Sequence, residues 1–163
     1  MAIFSIKKIR SYYIDILVEE IKNTYADPTD EKLIEKMDTA GIDITAFCVV
    51  DDASLQGDTY EVVKALNQKG GSIAKKFPDR FIAFAGIDPR RPEAPDLLRH
   101  CIEEFGMKGL KFHPDHGYYP NSPEAYRMLE ILQEKGGILL THTEPASPPD
   151  KAGNMHIRCF WMK

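Results

Sequence analysis

The chain has 163 residues, 43% of them apolar, which suits one ordinary domain with a single sizeable core and leaves little room for two. Its 21 basic and 25 acidic residues give a formal net charge of −4, and no lysine or arginine cluster is long enough to track a phosphate backbone, so nucleic acid is not an expected partner. The three cysteines, Cys48, Cys101 and Cys159, stand far apart and never as CxxC, which argues against a disulfide framework or a zinc knuckle and fits a reducing cytoplasm.

The N-terminal "MAIFSIKKIRSYYIDILVEEIK" lacks a continuous apolar block with a small-residue cleavage site, and no stretch approaches the roughly 18 apolar residues of a membrane helix. A soluble, unprocessed, cytoplasmic chain with no membrane partner is the expectation. Within that opening, "SYYIDILV", residues 11–18, is rich in β-branched and aromatic side chains and predicts a first strand. "TDEKLIEKMDTAG" predicts a helix with Thr29 or Asp30 as N-cap, Leu33, Ile34 and Met37 on one face, and Gly41 as the stop.

"ITAFCVV", residues 44–50, is nearly continuous in apolar residues, the pattern of a strand covered on both faces. Residues 60–76 carry Val62, Val63, Leu66 and Ile73 at helical spacing, with Gly70 and Gly71 expected to weaken or interrupt the helix. "RFIAFAGI" predicts a third strand closed by "DPRRP", and "APDLLRHCIEEFG" a helix with proline near its first turn and glycine at its end. "GLKFHP" predicts a fourth strand. "SPEAYRMLEILQEKGG" predicts a helix capped by Ser122, with Pro123 at its first position and Tyr126, Leu129 and Leu132 inward, and "ILLTHT", residues 138–143, a fifth strand. Beyond Thr143 the three prolines and one glycine of the tail support no further element.

Strand starts about thirty residues apart are the spacing of βαβ units, so the fold class is α/β with a parallel sheet. Two architectures fit: an open parallel sheet complete at this length, or a partial (β/α)8 barrel of about five β/α units, the full barrel needing about 250 residues. No GxGxxG or GxxxxGK[ST] follows the first strand, so a nucleotide cradle is missing.

In both architectures chemistry collects at the C-terminal ends of strands. Asp51 and Asp52 follow the second strand, Asp88 the third, His113 the fourth and His142 the fifth. Side chains alternate along a strand, so Lys111 and His113 share one face while Leu110 and Phe112 share the other; Leu140 and His142 likewise pair, opposite Leu139 and Thr141. If the faces bearing Lys111, His113 and His142 look into a barrel, two imidazoles meet near its mouth, the ingredients of a divalent metal site. His113 reads equally as a hydrogen-bonded loop anchor, and Asp51, Asp52 and Asp88 read first as caps, loop charges or turn residues. His116 is expected to be a solvated loop residue and His100 a structural one; His156 falls in the unpatterned tail. Lys111 suits either an anionic substrate or a carboxylate partner.

Together, "MDTAGIDITAFCVV", "FPDRFIAFAGIDPRRPEAPDLLRHCIEEFGMKGLKFHP" and "GGILLTHT" resemble the amidohydrolase-related family of metal-dependent hydrolases and decarboxylases, over roughly residues 12–154. The resemblance implies a distorted (β/α)8 barrel holding one divalent metal, zinc or manganese. Its family ligands are an H-x-H pair after strand one, a histidine after strand five and an aspartate after strand eight, with a catalytic histidine after strand six. His142 matches the strand-five ligand. Leu17 and Glu19 stand where the H-x-H pair belongs: Glu19 keeps an oxygen donor, whereas Leu17 has no lone pair. By the same resemblance the strand-six and strand-eight residues fall beyond Lys163, so the expectation is a single, truncated domain over 1–163 whose catalytic residues are unassigned. Lys111 and His113 are expected to bind a small-molecule substrate, a small organic acid or amide. The rival expectations are a non-catalytic fragment or pseudoenzyme that has lost the metal site, and an open-sheet binding domain. Uncovered sheet edges would invite self-association.

Overall fold

The structure, a computed structural model, describes residues 27, 29–51 and 57–142. The first expected strand, Glu19, Asp52, His156 and Cys159 therefore lie outside the described residues. The chain divides into two compact units, 1–43 and 44–163.

In the first unit, α1 (Glu31–Ala40) ends where the sequence expects: Gly41 takes the left-handed conformation at φ 68° and its N–H returns to the carbonyls of Met37 and Asp38. At the start, Asp30 sits at φ 59° with no side-chain cap bond, and of the two candidates it is Thr29 whose hydroxyl accepts a first-turn N–H, that of Glu31 at 3.4 Å. The Asp27 carboxylate takes the Lys32 N–H at 3.0 Å and the Thr29 N–H at 3.1 Å. Those backbone donors, Lys32 first, hold the Asp27 carboxyl down at about 2.

In the second unit, β1 (Thr45–Cys48), β2 (Phe81–Gly86), β3 (Gly109–Phe112) and β4 (Ile138–Thr141) form one parallel sheet in the order β1-β2-β3-β4. Between consecutive strands run α2 (Tyr60–Lys76), α3 (Ala94–Glu103) and α4 (Pro123–Glu134). A doubly wound open sheet reverses its strand order at a switch point; this sheet advances in one direction without reversal, as a barrel wall does. The result is a curled half-barrel, the partial (β/α)8 alternative of the two.

Ala83 and Ala85 of β2 and Leu110 and Phe112 of β3 are buried against Val63 of α2, Leu98 of α3 and Met128 of α4. Because side chains alternate, this burial of Leu110 and Phe112 turns Lys111 and His113 to the opposite, concave face.

Two expectations about helix faces are corrected. α2 runs unbroken through Gly70 and Gly71, and its buried face is Val63, Asn67, Gly70 and Gly71, while Val62 and Leu66 are exposed. The glycines are there for approach: a Cβ on Gly71 would press on the backbone and Cβ of Phe105. Asn67, fully buried, bonds both the N–H and the carbonyl of Gly86 at 3.1 and 3.0 Å, so a polar residue pins α2 to the end of β2. In α4, Ser122 caps as expected by accepting the Ala125 N–H, Leu132 is buried and Leu129 packs against the core, but Tyr126 is exposed and Met128 and Ile131 take the inner face.

Candidate functional site

Beyond β3 the chain turns at once: His113 leads into a short 3-10 helix, Pro114–His116, closed by Gly117 at φ 94°. The His113 N–H donates to the Tyr118 hydroxyl at 2.6 Å, and the Tyr118 ring packs edge-on to Phe112. Beyond β4, the His142 N–H donates to the Phe112 carbonyl at 3.1 Å, extending the parallel ladder by one rung. That rung sets the His142 ring 4.3 Å from the His113 ring, centroid to centroid. The two imidazoles that the strand alternation placed on one face do meet.

His116 joins them, contrary to the expectation of a solvated loop residue. It is buried, its ring stacks on His113 at 5.0 Å, and its Nδ1 lies 3.0 Å from the Asp51 carbonyl. The reason is the tightness of the turn: three residues of 3-10 helix bring position 116 back over position 113. His100 is structural, its ring edge-on to Phe105 at 4.6 Å.

Lys111 is 6% exposed, and among the described residues it has no ion pair. With no partner among the described residues, a charge buried to this extent on the concave face carries a desolvation cost.

The strand-end aspartates do something else. Asp51, buried, is gripped by Arg91 through Nε and Nη2 at 2.6 and 2.7 Å and accepts the Asp88 N–H at 2.8 Å. Asp88 accepts the Arg90 N–H two residues on, the turn geometry expected of Asp-Pro, and is forked by the Arg90 guanidinium. Burial works to raise the Asp88 carboxyl and is the largest single influence; the bonds and charge of Arg90 outweigh it, so the group lies below the ordinary carboxylate value. Arg90 and Arg91 are each raised, chiefly by their bonds to Asp88 and Asp51. Both carboxylates are thus occupied by arginines. Sequence reading passed over Arg90, Arg91 and Tyr118; the available signal was the Arg-Arg pair of "DPRRP" next to strand-end aspartates that would need partners once buried.

Among the described residues, no three His, Cys, Asp or Glu side chains converge to hold a metal ion. One feature fits such a group: the Nδ1 of His142 is buried with no hydrogen-bond partner among the described residues. An imidazole nitrogen left in that state suits one ligand position; the described residues alone do not complete the set. Glu19 lies outside them.

The family model described as amidohydrolase matches residues 19–160. A search of curated proteins found no match. Among solved structures, the chain is similar to 5-carboxyvanillate decarboxylase LigW2 from Novosphingobium aromaticivorans, solved with manganese and 3-methoxy-4-hydroxy-5-nitrobenzoic acid: TM-score 0.59, 24% identity, 68% of this chain and 34% of that one. It is similar to 2,6-dihydroxybenzoate decarboxylase from Rhizobium, with TM-score 0.55 and 21% identity over 72% of this chain and 40% of that one. A dihydroxybenzoic acid decarboxylase from Polaromonas sp. JS666, solved with manganese and the inhibitor 2-nitroresorcinol, gives TM-score 0.53 and 20% identity over 73% of this chain and 40% of that one. The chain spans well under half the length of these structures, and the likeness concerns the fold.

Proposed function

Since the chain belongs to the amidohydrolase family, we propose that it carries the substrate-facing wall of a metal-dependent amidohydrolase-type site acting on a small organic acid, by hydrolysis or decarboxylation. The observation that carries this reading is the buried Lys111, which has no ion pair among the described residues, on the same face as the His113 and His142 rings. Its ammonium would pair with a substrate carboxylate, and the two imidazoles would wall the ligand on the β3 and β4 side. His142 is the proposed metal ligand on the strength of its buried Nδ1, which has no hydrogen-bond partner among the described residues, and Glu19 a second by its place in the family pattern. A bound divalent cation, zinc or manganese, would supply polarisation of a substrate or water oxygen. The named structures with manganese support that choice of metal class.

The second reading is a non-catalytic chain, a binding module or pseudoenzyme. It is favoured by the absence of a converging ligand trio among the described residues and by Leu17 in place of a histidine. Metal analysis of the purified chain separates the two. Near-stoichiometric manganese or zinc that falls on His142→Ala supports the first; sub-stoichiometric metal unchanged by that substitution supports the second.

A further inference from the structure

We propose that Arg90 is a positioning residue that sets the stacked His113 and His116 rings against His142. The proposal rests on the reading of these strand ends as a ligand site. Arg90 belongs to the loop after β2, yet both of its Nη atoms donate across to the loop after β3. Nη2 donates to the His116 carbonyl at 3.0 Å and Nη1 to the Gly117 carbonyl at 3.2 Å, and the guanidinium carbon lies 5.6 Å from the centre of the Tyr118 ring. Asp88 anchors the same guanidinium through Nε and Nη2 at 2.9 and 2.5 Å.

Three consecutive residues, His116, Gly117 and Tyr118, are therefore held by one planar group, itself fixed to a buried carboxylate. Each of the three bears on an imidazole. The His116 carbonyl and ring share one Cα, and Gly117 at φ 94° turns both carbonyls to the same guanidinium. The Tyr118 hydroxyl takes the His113 N–H, which fixes where the His113 ring leaves the strand. With Asp51 receiving His116 Nδ1, the stack His116, His113, His142 is defined from the β1, β2 and β3 ends together.

Only a fork can do this. A lysine would keep the charge beside Asp88 but could not reach two carbonyls and a carboxylate in one plane. A role limited to neutralising Asp88 would be restored in full by lysine, and a positioning role would not.

The test is proton–nitrogen correlation spectra of the histidine rings in the full chain. Arg90→Gln should displace the His113 and His116 ring signals, with His142 following, by more than does Arg99→Gln, which removes an exposed pair with Glu134. Arg90→Lys should recover only part of that displacement. Displacements no larger than those of Arg99→Gln, or full recovery by lysine, would overturn the proposal. If Arg90→Gln fails to fold, Arg90→Lys carries the test alone, and ring signals identical to the unsubstituted protein overturn it. Adding benzoate to the unsubstituted protein separates the ligand-site reading: saturable ring shifts support both ideas, whereas no response alongside intact Arg90 effects upholds the positioning and removes the ligand site.

Discussion

Arg91 holds Asp51 through two parallel hydrogen bonds of 2.6 and 2.7 Å, with the Asp51 side chain 2% exposed and that of Arg91 14%. The same guanidinium donates to the Asp58 carbonyl at 2.6 Å, so the segment that leaves β1 and the one that enters α2 are fastened to the loop after β2. Removing the arginine leaves a buried carboxylate with its strongest donor gone. Arg91→Met is expected to cost about 3–5 kcal/mol, read as a lower urea midpoint at unchanged slope. Asp51→Asn with Arg91→Met together should cost less than the sum of the single changes.

Asp88 predicts the acid limb of stability. Its folded carboxyl lies below the ordinary value of about 3.9, because the Arg90 bonds outweigh the opposing effect of burial. A group depressed in the folded state contributes stability that is fully present above its unfolded value and is lost as pH falls through the folded one. Urea midpoints measured from pH 6 downward should therefore decline below about pH 4. Asp88→Asn should flatten that decline while lowering stability at pH 6.

Gly86 and Gly109 are places where strands touch backbone to backbone. A Cβ on Gly86 would overlap the Val49 carbonyl, and one on Gly109 would overlap the Ile138 carbonyl. Backbone cannot rotate aside as a side chain can, so Gly86→Ala and Gly109→Ala are each expected to cost about 3 kcal/mol or more. Gly57→Ala is the control: open space surrounds it and only its φ of 73° resists, at about 1–2 kcal/mol. Thermal unfolding of the three proteins side by side decides the order.

Lys111 should trade stability for binding. Replacing a buried ammonium that has no ion pair among the described residues by an apolar chain of similar length removes a desolvation cost, so Lys111→Met is expected to raise the urea midpoint. Under the proposed function the same change weakens a carboxylate ligand by about 10- to 100-fold, the value of one charge-assisted bond. Calorimetry with benzoate, beside the urea melt, reads both signs on one variant. A drop in stability with unchanged binding would sink the role given to Lys111.

Cys101 is fully buried in α3, and burial alone pushes its thiol up to about 12. At pH 8 it should resist a thiol reagent while the protein is folded and react once urea unfolds it. Half-buried Cys48 is the internal comparison; mapping the labelled peptides shows which residue reacted.

What could be read from the sequence was whatever depends on local period and local chemistry. The apolar run 44–50, the alternation of "GLKFHP" and the Ser122-Pro123 start each stand within a residue or two of β1, β3 and α4. The meeting of His113 with His142 was likewise readable, because strand parity fixes a face before any packing is known. The misreadings share a different cause. Val62 and Leu66 are apolar but exposed, and Gly70, Gly71 and Asn67 are weak helix residues that are buried, because the sheet and Phe105 come close enough to demand small or bonded groups there. Nothing within α2 announces that neighbour. His116 was misplaced for the same reason: its burial is made by Asp51 and Arg90, which are 65 and 26 residues away in the chain.

The parallel register of β3 and β4 places Lys111 beside Leu140 and Phe112 beside Thr141, so that the next positions on the two strands are the histidines. The chain reaches that register through a short connection from α4, in which Gly136 turns it at φ 64°. Inserting a single residue there would leave every imidazole in the sequence and yet present Thr141 where His142 now stands, with the histidine carried to the other side of the sheet. The meeting of the two rings is thus held by a count of residues in a connection that contains no histidine, and an indel in that short turn would be as consequential for the site as a substitution within it.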